Sequence, residues 1–412
     1  MRKKTLTNGL VLLYEKNKVS EVDSFQVNVL TGSVLEKKNE LGINHLVEHL
    51  MFKASNKRST REISEELERQ GAIINAWTNY DNVRFYFKCL PEKLDSCIEI
   101  YADMLFNKNI SDKEFETEKD VVCQEIKMYE DDFMAKNETN YFEQFWQMKD
   151  VAGTVDSVKS FTKKQVMAFI KKRYVPANMV ISICSKLSFR KVCSIIEKYF
   201  SINNPTTFID LRKEWQKFKL IHNTSMNGLV KKKEKTAQVQ VIHGGRFNTN
   251  ASPVLQSFCL SLISGGLSSV LFREIREKHG LCYGVGAHDL TFHPMIFNQN
   301  NEVGFVLIQS SMEKQNIKKY LTLLPEVLNN LDSLIQDSDI ERAVNNFKTK
   351  GYKSSIIAAD LFFRYLNPQV NWYKKDYISE VKYLLKNKDI FKQELVKAVK
   401  NINWDIAILG NV

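Results

Sequence analysis

The stretch NHLVEHLMFKAS, residues 44–55, carries two of the chain's seven histidines and sets one glutamate between them. His45, Glu48 and His49 stand at i, i+3 and i+4, so on a helix they share one face. Leu46, Val47, Leu50 and Met51 supply an apolar face for the same helix. An ordinary amphipathic helix accounts for the pattern if the polar face is merely wet. Two imidazoles one turn apart can also hold one metal ion, with the glutamate beside them free to take a proton.

The rest of the chain bounds the choice. A length of 412 residues exceeds one small core and implies two or more domains. With 43% hydrophobic and 26% charged residues, the chain reads as globular rather than disordered. No apolar run reaches the roughly 18–20 residues of a membrane-spanning helix. The basic start MRKKTLTNGLVLLYEK has too short an apolar stretch for a signal peptide, which points to the cytoplasm. The net charge is +11, but the lysines are spread along the whole chain, so no nucleic-acid partner is expected. Seven cysteines without a CxxC pair indicate neither a disulfide framework nor a cysteine metal site, and they read as small buried hydrophobes.

Outward from residue 44, LVLLYEK and SFQVNVLTGS read as a strand hairpin between Leu6 and Val34. Ser59–Gln70 reads as a helix stopped by Gly71, and AIINAWT and VRFYFKCL as two strands. PEKLDSCIEIYADMLFN is an amphipathic helix. SDKEFETEKDVVCQEIKMYEDD opens with a capping box, Ser111 and Glu114. NMVISICSK is a strand and FRKVCSIIEKYF a closing helix. The pattern then loosens, and the second half repeats the first in layout, ending on the strand WDIAILGN. The expected fold is α+β: two similar domains, each a mostly antiparallel sheet packed with helices, at residues 1–205 and 229–412 with a linker at 206–228.

HxxEH reverses the HExxH order of many zinc peptidases and is the inverzincin pattern. A third ligand would strengthen the metal reading. Glu118 and Glu125 are seven residues apart, nearly two helical turns, and share a face. A carboxylate turned toward an apolar interior is costly unless paired or bound to metal. One could complete the site and the other orient a ligand from behind. Helical spacing does not decide which, and a merely charge-rich helix also accounts for both.

Four segments together carry a resemblance: GINHLVEHLMFKAS, GAIINAWTNYDNVRFYF, FETEKDVVCQEIKMYEDD and GGLSSVLFREIREKHGLCYGVGA. In order and spacing they resemble the pitrilysin family of zinc peptidases, which includes insulysin and the processing peptidases of mitochondria and bacteria. The size is similar to that of its short bacterial members, with two domains per chain. The resemblance implies one Zn2+ per chain, held by His45, His49 and Glu125. It implies Glu48 as general base and Glu118 as the acid behind a ligand. It makes Asn75, Ala76, Trp77 and Thr78 the edge strand that binds substrate backbone. Arg276 and Tyr283 become the pair that grips substrate near the scissile carbonyl.

The implied activity is a metalloendopeptidase for short or unfolded peptides, bound as an added strand in an enclosed clamshell chamber. The implied assembly is a homodimer, or a heterodimer with a related chain. A dedicated protease for a precursor or leader peptide is the alternative. A non-catalytic partner subunit is disfavoured because no motif is lost. Ala54-Ser55 stands where Gly-Thr is usual, Gln124 where an acid is common and Val270 where an arginine is usual. Residues 133–151 follow the family poorly. None of these departures touches a ligand. The other histidines, His222, His243, His279, His288 and His293, show no ligand spacing.

Overall fold

The computed structural model describes residues 1–17, 20–226, 228–246, 253–291, 304–350, 353–366, 368 and 374–412. The first half contributes β1 (Arg2–Thr5), β2 (Val11–Lys16), β3 (Asp23–Val29), β4 (Ile73–Thr78), β5 (Val83–Cys89) and β6 (Met179–Ser185). The second contributes β7 (Leu229–Lys233), β8 (Val239–Arg246), β9 (Gly284–Thr291), β10 (Gly304–Met312) and β11 (Asp405–Gly410). The helices that shape the site are α1 (Ile43–Met51), α2 (Thr60–Arg69), α3 (Leu94–Phe106) and α4 (Asp112–Asp131), followed by α5 (Phe133–Trp146).

Asn8-Gly9 makes the first reversal. Gly9 sits at φ 87°, and Leu6 N donates to Leu10 O at 2.9 Å. β1 therefore pairs antiparallel with β2, as an Asn-Gly turn favours. The hairpin expected between β2 and β3 does not form. β6 lies between them, parallel to β2 and antiparallel to β3. Every residue of β6 is buried, so it takes a place inside the sheet, while the basic β1 is left at an edge.

The six-stranded sheet runs β1-β2-β6-β3-β5-β4 and the five-stranded one β7-β11-β8-β10-β9. Without β1 the two orders correspond strand for strand, each with one parallel pair, β2/β6 and β7/β11. The repeated layout seen in the sequence is a repeated topology. The chain has the expected two-domain α+β fold of sheets packed with helices.

One compact unit holds residues 1–128, 149–218 and 352–366, and the other 129–148, 219–351 and 367–412. This corrects the expected domain boundaries, which cut the chain once. Helix α5 packs on β8 and β11, where Asn137 Nδ2 donates to Gln240 O and Ala407 O. The helix Ser354–Leu366 packs on β2, β3 and β6, and Ser354 Oγ lies 2.7 Å from Ser24 Oγ. Each sheet is thus covered by a helix from the other half of the sequence. The expected linker is also not loose throughout. It contains the helix Leu211–Lys217, whose buried Trp215 donates Nε1 to Leu30 O at 2.8 Å.

In the first unit Phe25, Val27 and Val29 of β3 turn into the core, where Phe25 and Phe87 stack at 4.9 Å and Phe87 meets Tyr101 edge-on at 4.8 Å. All seven cysteines are buried free thiols. Among the described residues no helix is long and apolar enough to cross a membrane.

Candidate metal centre

Helix α1 starts from Gly42 at φ 85°, where a Cβ would stand 2.3 Å from Ala152 O, so glycine is required. Glycine offers no capping side chain. Glu36 serves instead, accepting from Gly42 N at 2.8 Å, Asn44 N at 2.9 Å and Asn44 Nδ2 at 2.8 Å. At the other end Lys108 Nζ donates to Leu50 O, Met51 O and Lys53 O at 3.3, 2.7 and 2.6 Å. The charged forms would suit the helix dipole at each end, but burial works against both charges. Burial pushes Glu36 up to about 8 and Lys108 down to about 7.

Helix α4 opens with the expected capping box. Ser111 N donates to Glu114 Oε2 at 2.9 Å, and Glu114 N to Ser111 Oγ at 3.2 Å. It turns Glu118 and Glu125 toward α1, and there the two acids part company. One ligand atom each from His45, His49 and Glu125 lies within 4.8 Å of the others. His49 Nε2 is 3.1 Å from Glu125 Oε2, and His45 Nε2 is 3.7 Å from Glu125 Oε1. Behind the ring, His49 Nδ1 is 3.0 Å from Glu118 Oε1, and Lys53 Nζ is 2.6 Å from Glu118 Oε2. Glu125 is in the cluster, and Glu118 holds His49 so that Nε2 faces it. His45 Nδ1 is buried without a hydrogen-bond partner. Two imidazoles and one carboxylate are a donor set that zinc takes, with a fourth position left over for water. The residues present fit the ion.

The electrostatics differ between the two histidines. Burial lowers His45 to about 4, and the nearby His49 adds to the effect, so His45 is neutral as a ligand must be. Burial opposes charge on His49 too, but its bonds to Glu118 and Glu125 outweigh that and lift it to about 9, so an ion bound there would displace a proton from His49. Burial pushes Glu118 upward, and His49 and Lys53 more than reverse it. Glu48 is raised by burial, against the opposing hydrogen bond from the Thr78 hydroxyl to its Oε2. A raised carboxylate suits a general base.

That bond to Glu48 is a part the sequence reading missed, having placed Thr78 only on the substrate strand. The period-two signal was available. Ile73, Asn75 and Trp77 are exposed, while Ile74, Ala76 and Thr78 alternate with them on the covered face of β4. Glu36, Asn44, Lys53 and Lys108 were also missed, because their partners lie outside any local pattern.

In the second unit Arg276 lies on a π-helical turn, Phe272–Glu277. Its guanidinium stands 4.6 Å from the Tyr283 ring and 4.5 Å from the Phe272 ring, and Tyr283 is 78% exposed. The two residues paired in the sequence reading are neighbours. His222 Nε2 bonds Asp405 Oδ2 at 2.8 Å, and His288 Nε2 is 3.7 Å from Glu138 Oε2. His293 lies outside the described residues.

Residues 11–156 match the family model described as insulinase (peptidase family M16), and residues 160–347 the one described as peptidase M16 inactive domain. The chain belongs to peptidase family M16. Among M16 relatives, an uncharacterized zinc protease of Rickettsia felis is 26% identical over 97% of this chain and 91% of its own length. An uncharacterized zinc protease of Bacillus subtilis is 27% identical over 71% of each chain. A mitochondrial-processing peptidase beta subunit of Dictyostelium discoideum is 28% identical over 48% of this chain and 43% of its own. The structure of a protease from Helicobacter pylori superposes at TM-score 0.76, over 99% of this chain and 98% of that one, with 19% identity. A peptidase M16 inactive domain from Pseudomonas fluorescens gives TM-score 0.79 at 14% identity, over 100% of this chain and 98% of that one. At such identities the likeness is one of fold. The HxxEH stretch, His45 to His49, lies in the first matched region.

Proposed function

We propose that this chain is a zinc metalloendopeptidase that hydrolyses short or unfolded peptides in the cytoplasm. The convergence of His45, His49 and Glu125 beside Glu48 carries the reading. The names of the zinc-protease relatives support it. His45, His49 and Glu125 would hold one Zn2+ per chain, which when bound acidifies a water and polarises the scissile carbonyl. Glu48 takes the proton of the attacking water on its carboxylate and returns it to the leaving nitrogen. Thr78 keeps that carboxylate aimed, and Glu118 keeps His49 in one tautomer. The peptide adds as a strand along the open edge of β4, beside Asn75, Ala76, Trp77 and Thr78. Arg276 and Tyr283 are assigned the grip near the scissile carbonyl. Donors of that kind contribute roughly 3–4 kcal/mol in other hydrolases.

Metal analysis of the wild type beside Glu125→Gln, with cleavage of an unstructured peptide, tests the proposal. The expected result is about one zinc per wild-type chain, with turnover, and loss of both in Glu125→Gln. A wild type that takes up no zinc, even from zinc-supplemented buffer, overturns it.

The similarity to a processing-peptidase beta subunit favours a second reading, in which the chain trims a dedicated precursor as a homodimer or beside a related partner chain. Activity regained on mixing Glu48→Gln and Tyr283→Phe chains would support a site completed across subunits. No recovery would count against it.

A further inference from the structure

Among the described residues strand β4 is an edge of its sheet, and the face it shows to solvent is unusual. Ile73 is 70% exposed and Trp77 57%, on the same side as Asn75. Directly opposite on β5 stand Lys88, Tyr86 and Arg84, paired with Ile73, Asn75 and Trp77 in turn. Opposed residues in antiparallel strands point to the same face. The face therefore alternates apolar and aromatic groups with cations.

Arg84 is the odd member. Its guanidinium stands 5.9 Å from the Trp77 ring and 5.3 Å from the Tyr86 ring. Its Nε is buried and has no hydrogen-bond partner. Among the described residues no carboxylate forms an ion pair with it; Asp81 attracts it from beyond that distance, and burial outweighs the attraction. Two other covered arginines of this unit are matched by acids: Arg58 meets Glu66, Glu99 and Asp103, and Arg173 lies 3.7 Å from Glu40. A covered cation without an ion pair bears a desolvation cost that a more distant acid and two aromatic rings offset only in part. Such a group gains most from an acid that arrives with a ligand.

The geometry of the edge says where that acid would come from. A peptide added to β4 lies about 4.8 Å beyond it, hence about 10 Å from β5. Alternate side chains of the peptide fall on the face of Trp77, whose ring stands 5.9 Å from the Arg84 guanidinium. Long side chains of opposite charge span the remaining gap.

We propose that Arg84, steadied between Trp77 and Tyr86, selects an acidic side chain at one alternate position of the docked peptide. The substrate class is thus an extended peptide with a glutamate or aspartate on the face of β4 that carries Trp77. This rests on the peptidase reading for its substrate, but a binding measurement tests it apart from turnover.

The zinc-loaded full-length Glu48→Gln chain is titrated against dye-labelled unstructured peptides, each carrying Glu, Gln or Lys at one position scanned along the sequence. Anisotropy reads affinity, and the wild type is assayed for cleavage of the same set. At one alternate register the Glu peptide is expected to bind about three- to tenfold tighter than its Gln twin, the range of a partly screened ion pair. Adding Arg84→Gln brings that ratio to about one, Arg84→Lys keeps part of it, and salt weakens it in the parent. A Glu preference that survives Arg84→Gln, or peptides bound with no charge preference, overturns the proposal and leaves the peptidase reading intact. Charge-selective binding without cleavage by the wild type overturns the peptidase reading and leaves Arg84 its acid. Absence of binding by every peptide removes both.

Discussion

Glu48 occupies a position that few carboxylates tolerate: covered, raised in pKa, and tied by the Thr78 hydroxyl alongside the ligand cluster. That tie argues for a group held ready rather than for the wet side of a helix. Glu48→Gln is expected to keep its zinc and to lose about 10²–10⁴-fold in kcat, read by metal analysis and peptide cleavage on one preparation. Cleavage at the native rate would remove Glu48 from the mechanism. Thr78→Val is expected to lower kcat with little change in KM, and Thr78→Ser to restore it. Equal loss in both variants would assign Thr78 to packing instead. Glu118→Gln is expected to bind zinc about 10–100-fold more weakly and still saturate, since Glu118 bonds His49 and lies outside the His45, His49 and Glu125 cluster.

At the scale of the element, α1 matters more than its nine residues suggest. A helix this short does not hold itself together in water. Here Glu36 takes two of its orphan N–H groups, and Lys108 takes carbonyls at its other end. Lys108→Met would strand those carbonyls and is expected to cost roughly 1–3 kcal/mol. The exposed Lys113→Met on α4 should stay within about 0.5 kcal/mol. Denaturant midpoints separate the two, and equal midpoints would dismiss the clamp. Legibility also divides at this scale. The boundaries of α2, the capping box of α4 and the alternation of β4 were readable because a few consecutive residues set them. The β1–β2 hairpin was readable too, from Asn8-Gly9. The place of β6 inside the sheet was not readable, because nothing local separates a strand that joins its neighbour from one that intrudes between two others.

The whole molecule repeats one topology twice, yet only one copy carries the HxxEH cluster. In the second copy a different histidine is enclosed. His243 on β8 is buried with neither ring nitrogen bonded, its ring 5.6 Å from that of Tyr320, whose hydroxyl is also unpartnered. Burial lowers His243 from 6.5 to about 4. The unfolded chain therefore takes up this proton first as pH falls. The stability tied to a neutral His243 is whole above pH 6.5 and is lost downward toward pH 4, by at most about 1.4 kcal/mol per pH unit. His243→Leu is expected to flatten that part of the acid limb, read by urea unfolding across the interval. An unchanged slope would show that the proton goes elsewhere.

Read alone, the chain was enough for the helix that puts His45, Glu48 and His49 on one face, for the shared face of Glu118 and Glu125, and for a layout that occurs twice. Helical and strand periods are properties of the backbone over a few residues, so they are written locally. The assembled fold was required to part Glu125 from Glu118, to bring Thr78 to Glu48, to exchange the covering helices between halves, and to leave Arg84 on the strand beside the sheet's edge without an ion pair. Those outcomes depend on which distant segments bury which surfaces together. Burial is non-directional and summed over the whole chain, so no short window records it.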